Sequence, residues 1–321
     1  MKKIIIILLS TIILIQPISS YASITSDEPT QPNQPSDGPG GSNYSHGCVK
    51  QTRYGYGGNR YWIFEPYCPK PKSAPVIVFI HGFAALHPIT YYGWIHHLVK
   101  RGNIVVFPRY QKGFFRGFDE YNSNAINAVK DAIEELQTAG HVKPDLDKFA
   151  ITGHSLGGGL TANMASQALD LGLPAPKAVM PVQPAILYEG ENDFSSIPAE
   201  TLMIVIVGEN DTWVGNESGK IIFNEAINIP LSNKDFIIQV TDTYGKPDII
   251  ADHFAPLCFP FFGMVDAMDY YSTWKLFDAL TDYAFYGTNR EYCLGNTSEQ
   301  RFMGLWGDGT PVKELIVKNY P

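Results

Sequence analysis

The sequence predicts an α/β fold, with a mostly parallel central sheet and helices on both faces. Three observations predict it. Short apolar runs alternate along the chain with segments whose apolar residues fall at helical spacing. Several runs are apolar at every position, the pattern of strands buried on both faces. Apolar residues make up 45% of the 321-residue chain and charged residues 17%, which suffices for one large α/β core.

Taken in order, residues 60–65 read as an early strand. Residues 76–80 (Val-Ile-Val-Phe-Ile) are a strand, 91–100 a helix, and 104–107 (Ile-Val-Val-Phe) another buried strand. Over 119–138, Ala125, Ile126, Val129, Ile133 and Leu136 lie on one helical face, and Gly140 suits the helix end. A strand at 148–152 leads to a helix from 156 to about 171. Strands follow at 178–182, 202–207 and 236–240, then a late helix within 264–286. The remaining tail, through Pro321, is turn-rich and gives no clear element. Only about 20 residues separate the runs at 178–182 and 202–207, too few for a large cap domain there.

The ends carry their own signals. Lys2 and Lys3 precede an apolar run at 4–15, and Ser20-Tyr21-Ala22 offers small residues at the positions for a cut before Ser23. Residues 1–22 therefore read as a signal peptide. The run is shorter than the roughly 20 residues of a membrane span, so no stable span is expected after cleavage, and the destination is secreted or periplasmic. Residues 23–45 are rich in Pro, Gly, Ser, Asn and Gln and read as a flexible linker. The folded domain is expected over 46–321.

Acidic residues outnumber basic ones, 32 to 24, and loss of Lys2 and Lys3 would leave 32 against 22. No basic run is present to track phosphates, which argues against a nucleic-acid partner. The four cysteines, Cys48, Cys68, Cys258 and Cys293, read as disulfides in an exported chain. Of three possible pairings, the local one is favoured: Cys48–Cys68 and Cys258–Cys293. No C-x-x-C is present, and no metal site is expected.

The chemistry concentrates in Gly153-His154-Ser155-Leu156-Gly157-Gly158-Gly159. A strand ends at Gly153 and a helix begins just after Ser155. So tight a turn forces its central residue into a strained backbone conformation and lifts the hydroxyl above the strand end. Flanking glycines remove the Cβ atoms that would clash. The Leu156 amide, at the helix start, faces an oxyanion formed when Ser155 attacks a carbonyl. A Gly-rich turn that binds phosphate, or merely packs, is the bland alternative. His154 reads as a helper beneath the pocket rather than as the base.

This segment resembles the nucleophile elbow of α/β-hydrolase-fold lipases, esterases and cutinase-like bacterial polyesterases, and His81-Gly82-Phe83, directly after the strand at 76–80, resembles their oxyanion loop. The likeness runs in element order from about residue 48 to 285. It implies the chain order nucleophile, acid, base. His253 is the histidine that follows Ser155 in the sequence and takes the base position. Gly208-Glu209-Asn210-Asp211-Thr212-Trp213-Val214 resembles the family's acid loop and puts Asp211 in the acid position. Glu209, Asp242 and Asp248 are rivals, and Asp252 is expected to face solvent or a cap. The resemblance gives His81 a loop-holding role and pairs the Phe83 amide with that of Leu156. Phe83, Trp213 and the phenylalanines at 254, 259, 261 and 262 line either an acyl pocket or ordinary core.

The expected activity is hydrolysis of a carboxylic ester, lipid-like or small, through an acyl-enzyme and with no cofactor. A thioesterase, acyltransferase, peptidase or polyester hydrolase would use the same residues. A non-catalytic scaffold on the same fold is the alternative from another class. Oligomeric state is open.

Overall fold

The computed structural model describes residues 28–113, 118–186, 193–258 and 263–319; the proposed signal peptide lies outside them. Nine strands form one sheet in the order β1-β2-β4-β3-β5-β6-β7-β8-β9. Its centre is β3 (Ser73–Ile80), β4 (Ile104–Pro108), β5 (Lys143–His154), β6 (Ala178–Val182), β7 (Leu202–Gly208) and β8 (Lys234–Gln239), all parallel. The antiparallel strands are β1 (Cys48–Tyr54) and β2 (Tyr61–Tyr67) at one edge and β9 (Ile316–Lys318) at the other. The central strands are buried on both faces because each face has its own core.

One core packs α2 (Tyr121–Leu136), α3 (Leu156–Gln167) and α4 (Glu217–Glu225) against the sheet through Val129, Ile133, Leu160, Ile222 and Phe223. The other packs α1 (Tyr92–Lys100) and α5 (Lys275–Tyr286) through Trp94, Leu98, Leu276, Phe277 and Leu280. The predicted helices on both faces are therefore present. β5 is longer than the expected 148–152: a register shift between Pro75 and Val76 lets Ser73–Pro75 pair with Lys143–Asp145. The late helix is α5 preceded by a π-helical turn, Asp269–Trp274.

The tail is part of the fold. β9 pairs with β8, and Met303, Trp306, Val312 and Leu315 are buried. Lys275 Nζ donates to the carbonyls of Glu299, Gln300 and Phe302, closing the last turn of the short helix α6 (Ser298–Arg301).

Two expectations are corrected. Residues 28–45 lie against the domain rather than forming a flexible linker. The Lys246 amide donates to Pro29 O at 2.9 Å, Gln31 bonds Pro247, Asp248 and Ala267, and the Gly40 amide donates to buried Asp278 at 2.7 Å. Gly40 has φ +78°, and a Cβ there would meet the Tyr270 carbonyl oxygen at 2.1 Å. The segment gains its order from these polar contacts, which its own sparse apolar content does not foretell. Cys48 and Cys68 are disulfide-bonded, as expected, but Cys258 and Cys293 are free thiols. Cys258 packs beside Gly93 at the start of α1, whereas Cys293 lies beyond the far end of α5, its Sγ at Arg290 O. A 12-residue helix, about 18 Å long, separates the two.

Candidate active site

The site lies at the carboxyl ends of β3, β5, β6 and β7, where open parallel sheets place their ligands. Ser155 sits between β5 and α3 with φ 57° and ψ −124°, a conformation that L residues rarely adopt. The turn closes that tightly because its glycines touch backbone. A Cβ on Gly153 would lie 2.6 Å from Ile80 O, and one on Gly157 would lie 2.1 Å from the same atom. The Ser155 carbonyl accepts from the amides of Gly158, Gly159 and Ala185, at 2.8, 3.2 and 2.9 Å, and these bonds hold the strained residue.

The three expected residues meet. Ser155 Oγ lies 2.9 Å from His253 Nε2, and His253 Nδ1 lies 2.7 Å from Asp211 Oδ2. All three are buried. Burial alone would push the Asp211 carboxyl up, but His253 and the backbone amides of Val214 and Trp213 more than offset it and hold the group below its ordinary value. Those amides donate to Oδ1, at 3.1 and 3.0 Å, so Oδ2 is the oxygen turned to His253. The rival acids are engaged elsewhere. Glu209 accepts from the Thr241 amide, Asp242 from Trp306 and Lys313, Asp248 pairs with Lys246, and Asp252 caps its own loop at the Phe254 amide.

The loop after β3 lies against the nucleophile. A Cβ on Gly82 would lie 3.3 Å from Ser155 Cβ, so the Phe83 amide follows a residue packed on the serine, and Leu156 opens α3. His81 is fully buried and stacks on Tyr110 at 4.2 Å. Its Nδ1 and Nε2 each lie 2.6 Å from a carbonyl oxygen, of Gly82 and of Arg109. Burial pulls its pKa down to about 4, against the two carbonyls, which favour the charged ring; either way the ring ties Gly82 to Arg109, the loop-holding role. The Ala84 amide donates to Gln111 Oε1 at 2.8 Å and further fixes the loop.

Trp213 is 64% exposed and lies nearly parallel to the His253 ring at 6.3 Å. Phe254 stands edge-on to both rings, and Phe83 is partly exposed. Trp213 and Phe254 lie beside the His253 ring, and Phe254 also packs against the core; residues 259, 261 and 262 lie outside the described residues.

Tyr91, Gln183 and Asn210 escaped the sequence reading. Tyr91 Oη receives the Gly82 amide at 3.0 Å and lies 2.9 Å from His154 Nδ1. Gln183 Nε2 donates to Asp252 O at 2.6 Å, and the Asn210 amide donates to Ala251 O at 3.0 Å. Gln183 directly follows the apolar run of β6, a polar residue at a parallel strand's carboxyl end, and that placement was its signal. Tyr91 carries no signal beyond its aromatic neighbours, and the Asn210 contact is made by backbone.

Comparison with known proteins fits this geometry. No curated protein matches the chain. The chlorophyllase family model matches residues 63–191, a span that includes β3, the Gly82 loop and the Ser155 turn and ends before Asp211 and His253. The match implies a hydrolase of the α/β type acting on esters. The sheet order and the turn at Ser155 are those of an α/β fold, and residues 63–191 are similar to a family of the α/β-hydrolase superfamily of esterase-like enzymes.

Proposed function

We propose that the protein is an exported serine esterase that cleaves carboxylic esters through an acyl-enzyme, with Ser155 as nucleophile, His253 as base and Asp211 as acid. The observation that carries this reading is the hydrogen-bonded line from Ser155 Oγ through His253 to Asp211, with the serine held at positive φ over the start of α3. Serine is a weak nucleophile until a base takes its proton. His253 Nε2 receives that proton as Oγ attacks the ester carbonyl, and Asp211 steadies the charged imidazole. The Leu156 and Phe83 amides hold the oxyanion, and one such donor lowers the barrier by about 3 kcal/mol. His253 then protonates the departing alcohol. Water repeats the sequence on the acyl-enzyme and frees the serine.

Export is supported by the Cys48–Cys68 disulfide and by the leader-like residues 1–22. Among the described residues no helix is long and apolar enough to cross a membrane. The aromatic surround of Trp213, Phe254 and Phe83 favours an apolar acyl or alcohol group beside the scissile bond.

The test is a panel of p-nitrophenyl esters from short to long acyl chains. Ser155→Ala is expected to lower kcat by about 10⁴-fold or more while the fold is retained. Hydrolysis at the parent rate by Ser155→Ala, or cleavage confined to peptides, would overturn the reading.

A further inference from the structure

The loop that carries His253 is held in an unusual way. Three successive carbonyls, those of Ala251, Asp252 and His253, each accept a hydrogen bond from the end of a different strand. The donors are the Asn210 amide at 3.0 Å, Gln183 Nε2 at 2.6 Å and His154 Nε2 at 2.8 Å. These donors come from the carboxyl ends of three adjacent parallel strands, β7, β6 and β5. The base loop is thus fastened across the strand ends, one strand to each carbonyl.

The His154 bond extends further. Its other nitrogen, Nδ1, lies 2.9 Å from Tyr91 Oη, and Tyr91 Oη receives the Gly82 amide at 3.0 Å. The proton directions along this line are fixed by chemistry. The His253 carbonyl can only accept, so His154 Nε2 must carry the hydrogen. A neutral imidazole has one N–H, so Nδ1 must accept. The Tyr91 hydroxyl therefore donates to Nδ1, and its oxygen accepts from Gly82. Each group is satisfied once, and one tautomer of a neutral ring fits. Protonation at Nδ1 would take away the acceptor of the Tyr91 hydroxyl hydrogen.

We propose that His154, with Tyr91 and Gln183, is a positioning residue: a neutral hydrogen-bonded strap that sets the His253 loop and the Gly82 oxyanion loop in a common register over Ser155. The proposal rests on the Ser155–His253 reading above. Geometry supports it in two further ways. A Cβ on Gly82 would come within 3.2 Å of His154 Nδ1 and 3.3 Å of Ser155 Cβ, so the loop, the strap and the nucleophile are in contact. The His154 and His253 rings are 4.8 Å apart, so a charged His154 would oppose the positive charge that His253 must acquire during the reaction. Burial keeps His154 neutral, pulling its pKa down to about 3. The strap transmits position without adding charge. None of its members touches the reacting atoms.

Two measurements test this. The first is steady-state hydrolysis of a short soluble ester by His154→Leu, His154→Gln and Tyr91→Phe, each checked for an intact fold. Loss of register is a kcat effect, because the nucleophile and base are misplaced while the surrounding pocket stays. His154→Leu is expected to lower kcat by about 10–100-fold with KM within about threefold. Tyr91→Phe is expected to lower kcat by a smaller factor. His154→Gln, which keeps a donor and an acceptor, is expected to recover most of the loss. The second is the ¹⁵N signal of the His154 ring in the parent protein, expected to show the Nε2–H tautomer from pH 8 to pH 5 without titrating. Parent kcat in both His154→Leu and Tyr91→Phe, a KM effect alone, an Nδ1–H tautomer, or titration near pH 6.5 would each overturn the strap. If the parent shows no Ser155-dependent hydrolysis, the esterase reading falls. The ring tautomer, with its response to Tyr91→Phe, then decides the strap by itself.

Discussion

Among the described residues, two buried His–Asp pairs have almost the same length. His253 lies 2.7 Å from Asp211, and His97 lies 2.8 Å from Asp278. Each histidine turns its second nitrogen to a hydroxyl: His253 Nε2 to Ser155 at 2.9 Å, and His97 Nδ1 to Tyr44 at 3.0 Å. The surroundings separate them. Besides His253, the hydrogen-bond donors on Asp211 are two neutral backbone amides, so its charge stays directed at the imidazole. Asp278 also faces the Arg101 guanidinium at 3.1 Å and the Gly40 amide at 2.7 Å, and a permanent cation already answers its charge. Ser155 sits on a strained turn over a helix start. Tyr44 is a phenol whose pKa burial raises further, on a segment that this cluster helps to hold down. A line of hydroxyl, imidazole and carboxylate therefore does not by itself carry the esterase proposal. The strained turn and the carboxylate with no cation beside it distinguish the first pair; the second joins Tyr44 and Gly40 to α1 and α5.

Paired substitutions sharpen that contrast. Asp211→Asn is expected to lower kcat by about 10³–10⁴-fold with little change in melting temperature, read from ester hydrolysis and circular dichroism. Asp278→Asn should behave in the opposite way. It leaves buried His97 without its carboxylate and half-buried Arg101 with Asp282 alone, which costs about 3 kcal/mol of stability. The kcat of the folded fraction should stay within about twofold of the parent. Equal effects on rate from both variants would erase the distinction.

A smaller effect concerns acid. His154 is buried and held neutral, at about 3, against about 6.5 in the unfolded chain. A histidine whose folded pKa is lowered stabilises the fold above the unfolded value, and that contribution is lost as pH falls. Between pH 6 and pH 5 the unfolded state binds nearly one more proton at this site, so stability should drop by about 1 kcal/mol per pH unit. Denaturant melts across that range check it. A flat profile would show that the His154 ring does charge inside the fold.

Much of this was legible in the sequence where the signal is local. The runs at 76–80, 104–107 and 202–207 are apolar throughout because helices cover both faces, so the central strands could be placed. The Ser155 turn was readable because its glycines are required by backbone contacts of 2.1–2.6 Å. What the sequence hid was held by single long-range contacts. β1 is a mixed polar edge strand, recognisable mainly by its pairing with β2. Residues 28–45 look like a linker until Asp278 and Asp266 receive their hydrogen bonds. The Cys258–Cys293 pairing failed because closeness in sequence ignored the helix between them. Tyr91 and Gln183 are ordinary residues whose value lies in where the strands end.

The central claim is that Ser155 is the nucleophile and that His253 activates it. Labelling with a fluorophosphonate, followed by peptide mass spectrometry, tests it most directly. The account predicts one modified peptide, carrying the adduct on Ser155, no labelling of Ser155→Ala, and labelling of His253→Ala slowed by about 10³-fold or more. Labelling of Ser155→Ala at the parent rate, or an adduct on another residue, would contradict it.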